Sequence, residues 1–94
     1  MVWTVYGFVI ASDHRTRVVL SLYKHPKTPA QISNETGLAM AHVSRVLKEL
    51  TERNVVTCLT PNVLKGKVFS LTDEGGSVAK IIVEDRKDMK TKSK

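Results

Sequence analysis

A chain of 94 residues, 41% hydrophobic and 26% charged, has the size of one globular domain with a modest core. A single cysteine, Cys58, excludes an internal disulfide, and no apolar run approaches the roughly 20 residues of a membrane span. The formal net charge of +6 and the pI near 9.7 favour an anionic partner, but the excess is unevenly placed. Arg86, Lys87, Lys90, Lys92 and Lys94 outweigh Asp88, so residues 1–85 hold only two of the six charges. Any anion-binding face in that part must come from how its charges are arranged. A reducing, cytoplasmic setting is expected from the lone cysteine.

Residues 2–11 (VWTVYGFVIA) are apolar throughout. Their β-branched and aromatic content suits a strand, and their continuity suits a buried helix, so periodicity leaves both readings open. They lack a basic leader and run directly into Asp13-His14-Arg15, so a secretory signal is not expected. Ser12 or Asp13 caps a helix through about residue 24, with Val18, Val19 and Leu22 inward and Arg15, Arg17, Ser21 and Lys24 outward. Pro26 ends it.

Thr28-Pro29-Ala30-Gln31 is a capping box with proline at the first helical position. Ala30 and Ile32 begin the apolar side, and Gly37 supplies the left-handed residue that stops the helix. Leu38 plugs the turn. A second helix spans 39–53, with Val43, Val46, Leu47 and Leu50 at core spacing and Asn54 as its terminator. Residues 55–60 and 67–71 read as two strands joined through Pro61-Asn62 and Lys65-Gly66-Lys67. Thr72 caps a last helix from residue 73 to about 85, weakened at its start by Gly75-Gly76 and striped by Val78, Ile81 and Ile82. This gives one domain over 1–85 and a basic, disordered tail over 86–94.

The order of a capped helix, a glycine turn, an amphipathic helix and a basic two-stranded wing is that of a winged helix-turn-helix, a mainly α fold with a small β-wing. With Val43, Leu47 and Leu50 inward, the step of about 100° per residue puts Met40, Ala41, His42, Ser44, Arg45 and Lys48 on the exposed side. These types suit a DNA groove. Arg45 can bond guanine bidentately, Met40 and Ala41 can meet thymine methyls, and His42 can donate to a base edge. Ser44, Lys48, Lys65, Lys67 and Thr28, at a helix N-terminus, are the phosphate candidates.

Gly37-Leu38, Val43-Ser44-Arg45, Leu47-Lys48-Glu49-Leu50 and Asn54-Val55-Val56 resemble the turn, recognition helix and following strand of small prokaryotic winged-helix transcription regulators, the MarR-like and ArsR-like groups. Cys58-Leu59-Thr60-Pro61-Asn62, with Lys65-Gly66-Lys67 and Leu71-Thr72-Asp73-Glu74-Gly75, looks like an archaeal-type set of them. The resemblance covers residues 8–80 and implies a helix over 2–11, double-stranded DNA as partner, base contacts from Met40, Ala41, His42, Ser44 and Arg45, and wing contacts near Lys65 and Lys67. Ala39 departs from it, standing where such proteins often have a capping Ser or Thr.

Plainer readings stand beside these. Arg45 and Lys48 also suit a solvated helix face, Lys65-Gly66-Lys67 a polar turn, the tail a solubility aid, and Cys58 a small core residue. His14, His25 and His42 have no metal-ligand spacing, and no phosphate loop, nucleophile elbow or thiolate cluster is present, so neither an enzyme nor a metal or other cofactor is expected. Trp3, Tyr6 and Val9 with Val78, Ile81 and Ile82 offer more apolar surface than a small core can cover, which predicts a homodimer through the two terminal segments. The alternative is that they fold back on their own core. The competing functional class is a winged-helix module that binds protein rather than DNA.

Overall fold

The computed structural model describes the backbone of residues 2–92 and the side chains of residues 3–85. Seven elements follow in order: α1 (Val2–Ile10), α2 (Asp13–Leu22), α3 (Pro29–Thr36), α4 (Met40–Glu52), β1 (Val56–Cys58), β2 (Phe69–Leu71) and α5 (Asp73–Lys92). Helix α2 lies at the centre and packs against α1, α3, α4, α5 and β2. The core gathers Val18, Val19 and Leu22 of α2, Ile32 of α3, Val43, Val46, Leu47 and Leu50 of α4, Val55 and Val56, and Val78, Ala79 and Ile82 of α5. Residues 2–10 form a helix, with Val9 fully buried and Val5, Tyr6 and Phe8 partly covered.

The turns are set by side chains the sequence singles out. The Ser12 hydroxyl accepts from the Arg15 N–H at 3.4 Å. The Thr28 hydroxyl accepts from the Gln31 N–H at 3.3 Å while the Gln31 side chain accepts from the Thr28 N–H at 2.9 Å, which closes the capping box. Gly37 (φ 77°) and Asn54 (φ 60°) take the left-handed conformations that end α3 and α4. Helix α4 starts at Ala39 with no side-chain cap. The Thr72 hydroxyl accepts from the Gly75 N–H at 3.1 Å and donates to the Asn54 carbonyl at 2.7 Å, tying the start of α5 to the end of α4.

Strands β1 and β2 are antiparallel, with Val56 opposite Leu71 and Cys58 opposite Phe69. Both are shorter than the sequence predicts. Beyond Cys58 the ladder continues only through Leu59 N–H to the Val68 carbonyl (2.8 Å) and Val68 N–H to the Thr60 hydroxyl (3.0 Å), because Pro61 and the left-handed Gly66 bend the wing. An unforeseen third partner is Lys27, bridged to Phe69 by bonds of 3.0 and 2.8 Å. That bridge anchors the N-terminus of α3 beside the base of the wing.

Several expectations are corrected. Ser21 faces inward, where its carbonyl and hydroxyl accept from the Lys27 ammonium, and Ala30 is exposed. Helix α5 does not stop near residue 85 but continues to Lys92, since nothing from Arg86 to Lys92 breaks a helix. The predicted disordered tail is therefore helical over 86–92, and Ser93 and Lys94 lie outside the described residues. Val9, Val78 and Ile82, offered as dimer contacts, are 4% exposed or less and belong to the chain's own core. Of that set Trp3 is well exposed, and Tyr6 and Ile81 are half-covered. Gly75 is buried for a reason the sequence hides: a Cβ there would lie 2.1 Å from the Val55 carbonyl oxygen.

Candidate nucleic-acid interface

With four residues of α4 committed to the core, the helix presents Met40, Ala41, His42, Ser44, Arg45 and Lys48 on its exposed side, as its spacing predicts. Met40 is 48% exposed. The His42 ring is already partnered, stacked on His14 of α2 with centroids 4.9 Å apart and planes at 27°. Among the described residues, neither Arg45 nor Lys48 has an ion-pair or hydrogen-bond partner.

The C-terminal half of α4 is different. Glu49 pairs with Arg15 of α2 at 3.3 Å, and the Arg15 guanidinium also donates to the Phe8 carbonyl at 2.9 Å. Arg15 and Arg53 both lie over the Phe8 ring, 3.9 and 4.3 Å from its centroid. One aromatic ring thus joins α1, α2 and the end of α4. The sequence reading passed over this cluster, because Phe8, Arg15, Glu49 and Arg53 belong to three segments with no shared motif. Glu49 and Arg53 are thus used internally, whereas Arg45 and Lys48 are not.

A groove of about 500 Å³ opens between α4, the N-terminus of α3 and the wing. Its lining brings together Thr28, Ser44, Lys48 and Lys67, four of the five phosphate candidates, with Met40 and Leu64 at the sides and Glu52 also among its walls. Lys65 is exposed on the wing and does not line it. The Lys27–Phe69 bridge explains the convergence, since it fixes Thr28 and the wing to one frame. Lys27 itself is taken, its ammonium bonded to Glu35 at 2.9 Å. That hydrogen bond, and a lesser one from Ser21, hold the Glu35 carboxyl below its ordinary pKa.

Cys58 is a half-buried free thiol, and no group of three metal-ligating side chains occurs among the described residues. No described helix is long and apolar enough to cross a membrane.

No protein-family model matches the chain, and no curated protein sequence does. Solved structures do. A variant of ZitR from Lactococcus lactis superposes with a TM-score of 0.79 at 20% identity, covering 87% of this chain and 57% of that one. NMB1585, a MarR family regulator from Neisseria meningitidis, gives 0.79 at 20% identity over 97% of this chain and 68% of that one. Wild-type ZitR in complex with DNA gives 0.71 at 24% identity. The fold is a winged helix-turn-helix. In it α3 and α4 form the helix-turn-helix and residues 56–71 the wing. The chain spans between 57% and 70% of the length of the ZitR structures it matches. The winged helix therefore places Met40, Ala41, Ser44, Arg45 and Lys48 along one exposed helix face, and Thr28 and Lys67 across a groove from it.

Proposed function

We propose that the chain is a DNA-binding transcription regulator of the MarR-like kind, reading the major groove with α4 and holding phosphates along the groove between α4 and the wing. The observation that carries this reading is the convergence of Thr28, Ser44, Lys48 and Lys67 on one groove beside the unpaired Arg45. Hydroxyls, lysines and a helix N-terminus in one track are what a sugar-phosphate strand requires, and an arginine on the adjoining helix face is the commonest reader of guanine. Met40, Ala41 and His42 share that face, and Lys65 extends the basic wing beyond the groove. The DNA seen with ZitR supports the same use of the fold.

The molecule acts as a homodimer in this reading. Trp3 (69% exposed) and Ile10 (47%) leave α1 apolar on its outer side, with Tyr6 set edge-on to Trp3 at 5.7 Å. With Ile81 of α5 they supply a contact that leaves α4 free on each subunit. Two such helices about one helical turn apart suit a two-fold site.

The test is the affinity of the full chain for mixed-sequence duplex DNA, measured by fluorescence anisotropy across a salt series. A linear fall of log affinity with log salt is expected, and Lys48→Ala with Lys67→Ala lowers the slope by about two units, roughly 0.9 per lost phosphate contact. A salt-independent affinity, or an unchanged slope in the double variant, would overturn this reading in favour of a protein-binding module.

A further inference from the structure

We propose that the stacked rings of His14 and His42 form a proton-dependent phosphate contact for the second DNA strand, on the flank of α4 turned away from the wing. The inference rests on the DNA-binding reading above. It adds a contact to the opposite strand and a dependence of binding on pH.

Helix α4 has two flanks. Met40, Ser44, Lys48 and Thr51 line the groove toward the wing. His42, Glu49 and Arg53 lie outside that groove. His42 stacks on His14 of α2, Glu49 pairs with Arg15 of α2, and Arg53 covers Phe8 of α1. The step of about 100° per residue puts Ala41 and Arg45 between the two rows. An α-helix is about 10–12 Å across with its side chains, and the major groove is about 12 Å wide. A helix that fills it has a sugar-phosphate strand along each flank. The strand proposed for the wing groove accounts for one. The other passes the row that begins at His42.

The charges around the two rings leave room for an anion. In α2, Asp13 is paired with Arg17 at 2.8 Å, and Arg15 holds Glu49 of α4 at 3.3 Å. In α3, Glu35 is paired with Lys27 at 2.9 Å. Helix α1 (Val2–Ile10) and the turn over 37–39 carry no charged residue. Asp73 and Lys80 of α5 meet α2 at its other end, beside His25. Arg45, nearly one turn on from His42, is unpaired among the described residues. The carboxylates nearest the rings are thus each held by a cation, and the nearest unpaired charge is positive.

Imidazole is the side chain that changes charge between pH 5 and 8. A neutral ring offers one N–H donor, and a protonated ring offers two donors and a positive charge. Stacking at 4.9 Å occupies the ring faces and leaves the nitrogens at the ring edges. Among the described residues neither ring has a hydrogen-bond or ion-pair partner, and His42 is exposed. A phosphate oxygen at those edges favours the protonated form through a charge-assisted hydrogen bond. Binding then takes up a proton, and affinity rises as pH falls.

The experiment uses the full chain and a duplex selected from a random pool by its binding to the wild type. Fluorescence anisotropy gives the affinity from pH 5.5 to pH 8, each across a salt series. Wild-type affinity is expected to fall by about tenfold over that range as pH rises. Its salt slope at pH 5.5 should exceed that at pH 8 by up to about 0.9, one phosphate contact. His14→Gln with His42→Gln should hold affinity and slope near the wild-type pH 8 values throughout. His14→Phe with His42→Phe, which preserves the stack without the proton, should do the same and serves where the glutamines disturb the fold. The third histidine is the control: His25 lies in a cleft lined by no residue of α4, so His25→Gln should behave as wild type. Either single substitution at the pair should reduce the dependence, and one that leaves it whole would overturn the paired contact. A pH-independent wild type, or a dependence that survives in the double variants or disappears in His25→Gln, would overturn it while leaving DNA binding intact. So would a pH effect that changes base preference without changing the salt slope. A wild type that binds no duplex at any pH would overturn the DNA-binding reading, and this contact with it.

Discussion

Adjacent glycines at the start of α5 should respond to alanine with opposite signs. At Gly75 a Cβ would stand 2.1 Å from the Val55 carbonyl oxygen and 3.1 Å from both the Val55 carbonyl carbon and its Cγ1. Ordinary contact is 3.4–4 Å, so the backbone of α5 must retreat from Val55 by more than 1 Å. The same carbonyl accepts from the Thr72 N–H at 3.0 Å and the Thr72 hydroxyl at 3.2 Å, and that hydroxyl caps Gly75 at 3.1 Å. A retreat therefore breaks bonds as well as relieving overlap. Overpacking costs about 1–3 kcal/mol. Each strained hydrogen bond adds about 1 kcal/mol. The gain in helix propensity returns at most about 1 kcal/mol. Gly75→Ala should thus destabilise by about 2–4 kcal/mol. At Gly76 nothing lies within 4 Å of the added carbon, so Gly76→Ala should be neutral or stabilise by up to about 1 kcal/mol. Urea unfolding followed by far-ultraviolet circular dichroism measures both. A Gly75→Ala variant as stable as wild type, or a Gly76→Ala variant less stable by more than 1 kcal/mol, would refute the packing argument.

Arg45→Ala should weaken binding to a selected duplex by about 1–3 kcal/mol and flatten base preference at one position, which competition against single-base variants of that duplex would show. Trp3→Asp with Ile81→Asp should give a folded monomer at micromolar concentration in sedimentation equilibrium, and a persistent dimer would exclude α1 and α5 as the contact. The Glu35 carboxyl, lowered by its hydrogen bond from Lys27, contributes stability above its unfolded pKa that is lost as pH falls through the lower folded value. Its carbon NMR titration should have a midpoint below the ordinary glutamate value, and Lys27→Met should raise it; identical midpoints in the two proteins would contradict the pairing.

Local chemistry was legible wherever one residue type answers one backbone demand. Thr28 with Gln31, Gly37, Asn54, Gly66 and Thr72 each did what its side chain or its freedom at positive φ dictates. The outward face of α4 followed from Val43, Val46, Leu47 and Leu50 alone, and most of the phosphate candidates do meet at one groove. What stayed hidden depends on partners far along the chain. Ser21 turns inward because Lys27 folds back over it, and Lys27 does so because its backbone is bridged to Phe69. The terminal apolar residues divide between core and surface according to how α1 and α5 pack on each other, which composition cannot foretell: Val9 and Val78 are buried whereas Trp3 is not. Gly75 and Gly76 read alike as helix-weakening residues, although only one of them meets a backbone carbonyl.

The two ends of α4 show how one helix serves two purposes. Its outward face carries exposed, unpaired Arg45 and Lys48, and it begins at Ala39 without a side-chain cap. An uncapped N-terminus leaves backbone N–H groups without a side-chain acceptor, which costs stability in the free protein. Its second half is fixed by Glu49 to Arg15 and by Arg53 over Phe8. Phe8 belongs to α1, whose outer side carries the exposed Trp3 and Ile10. The orientation of the helix proposed to read DNA is thus referred, through a single ring clasped by two guanidinium groups, to the helix proposed to meet the second subunit. A two-fold reader needs that linkage, because the spacing of its two α4 helices is only as rigid as the joint between α4 and the dimer contact.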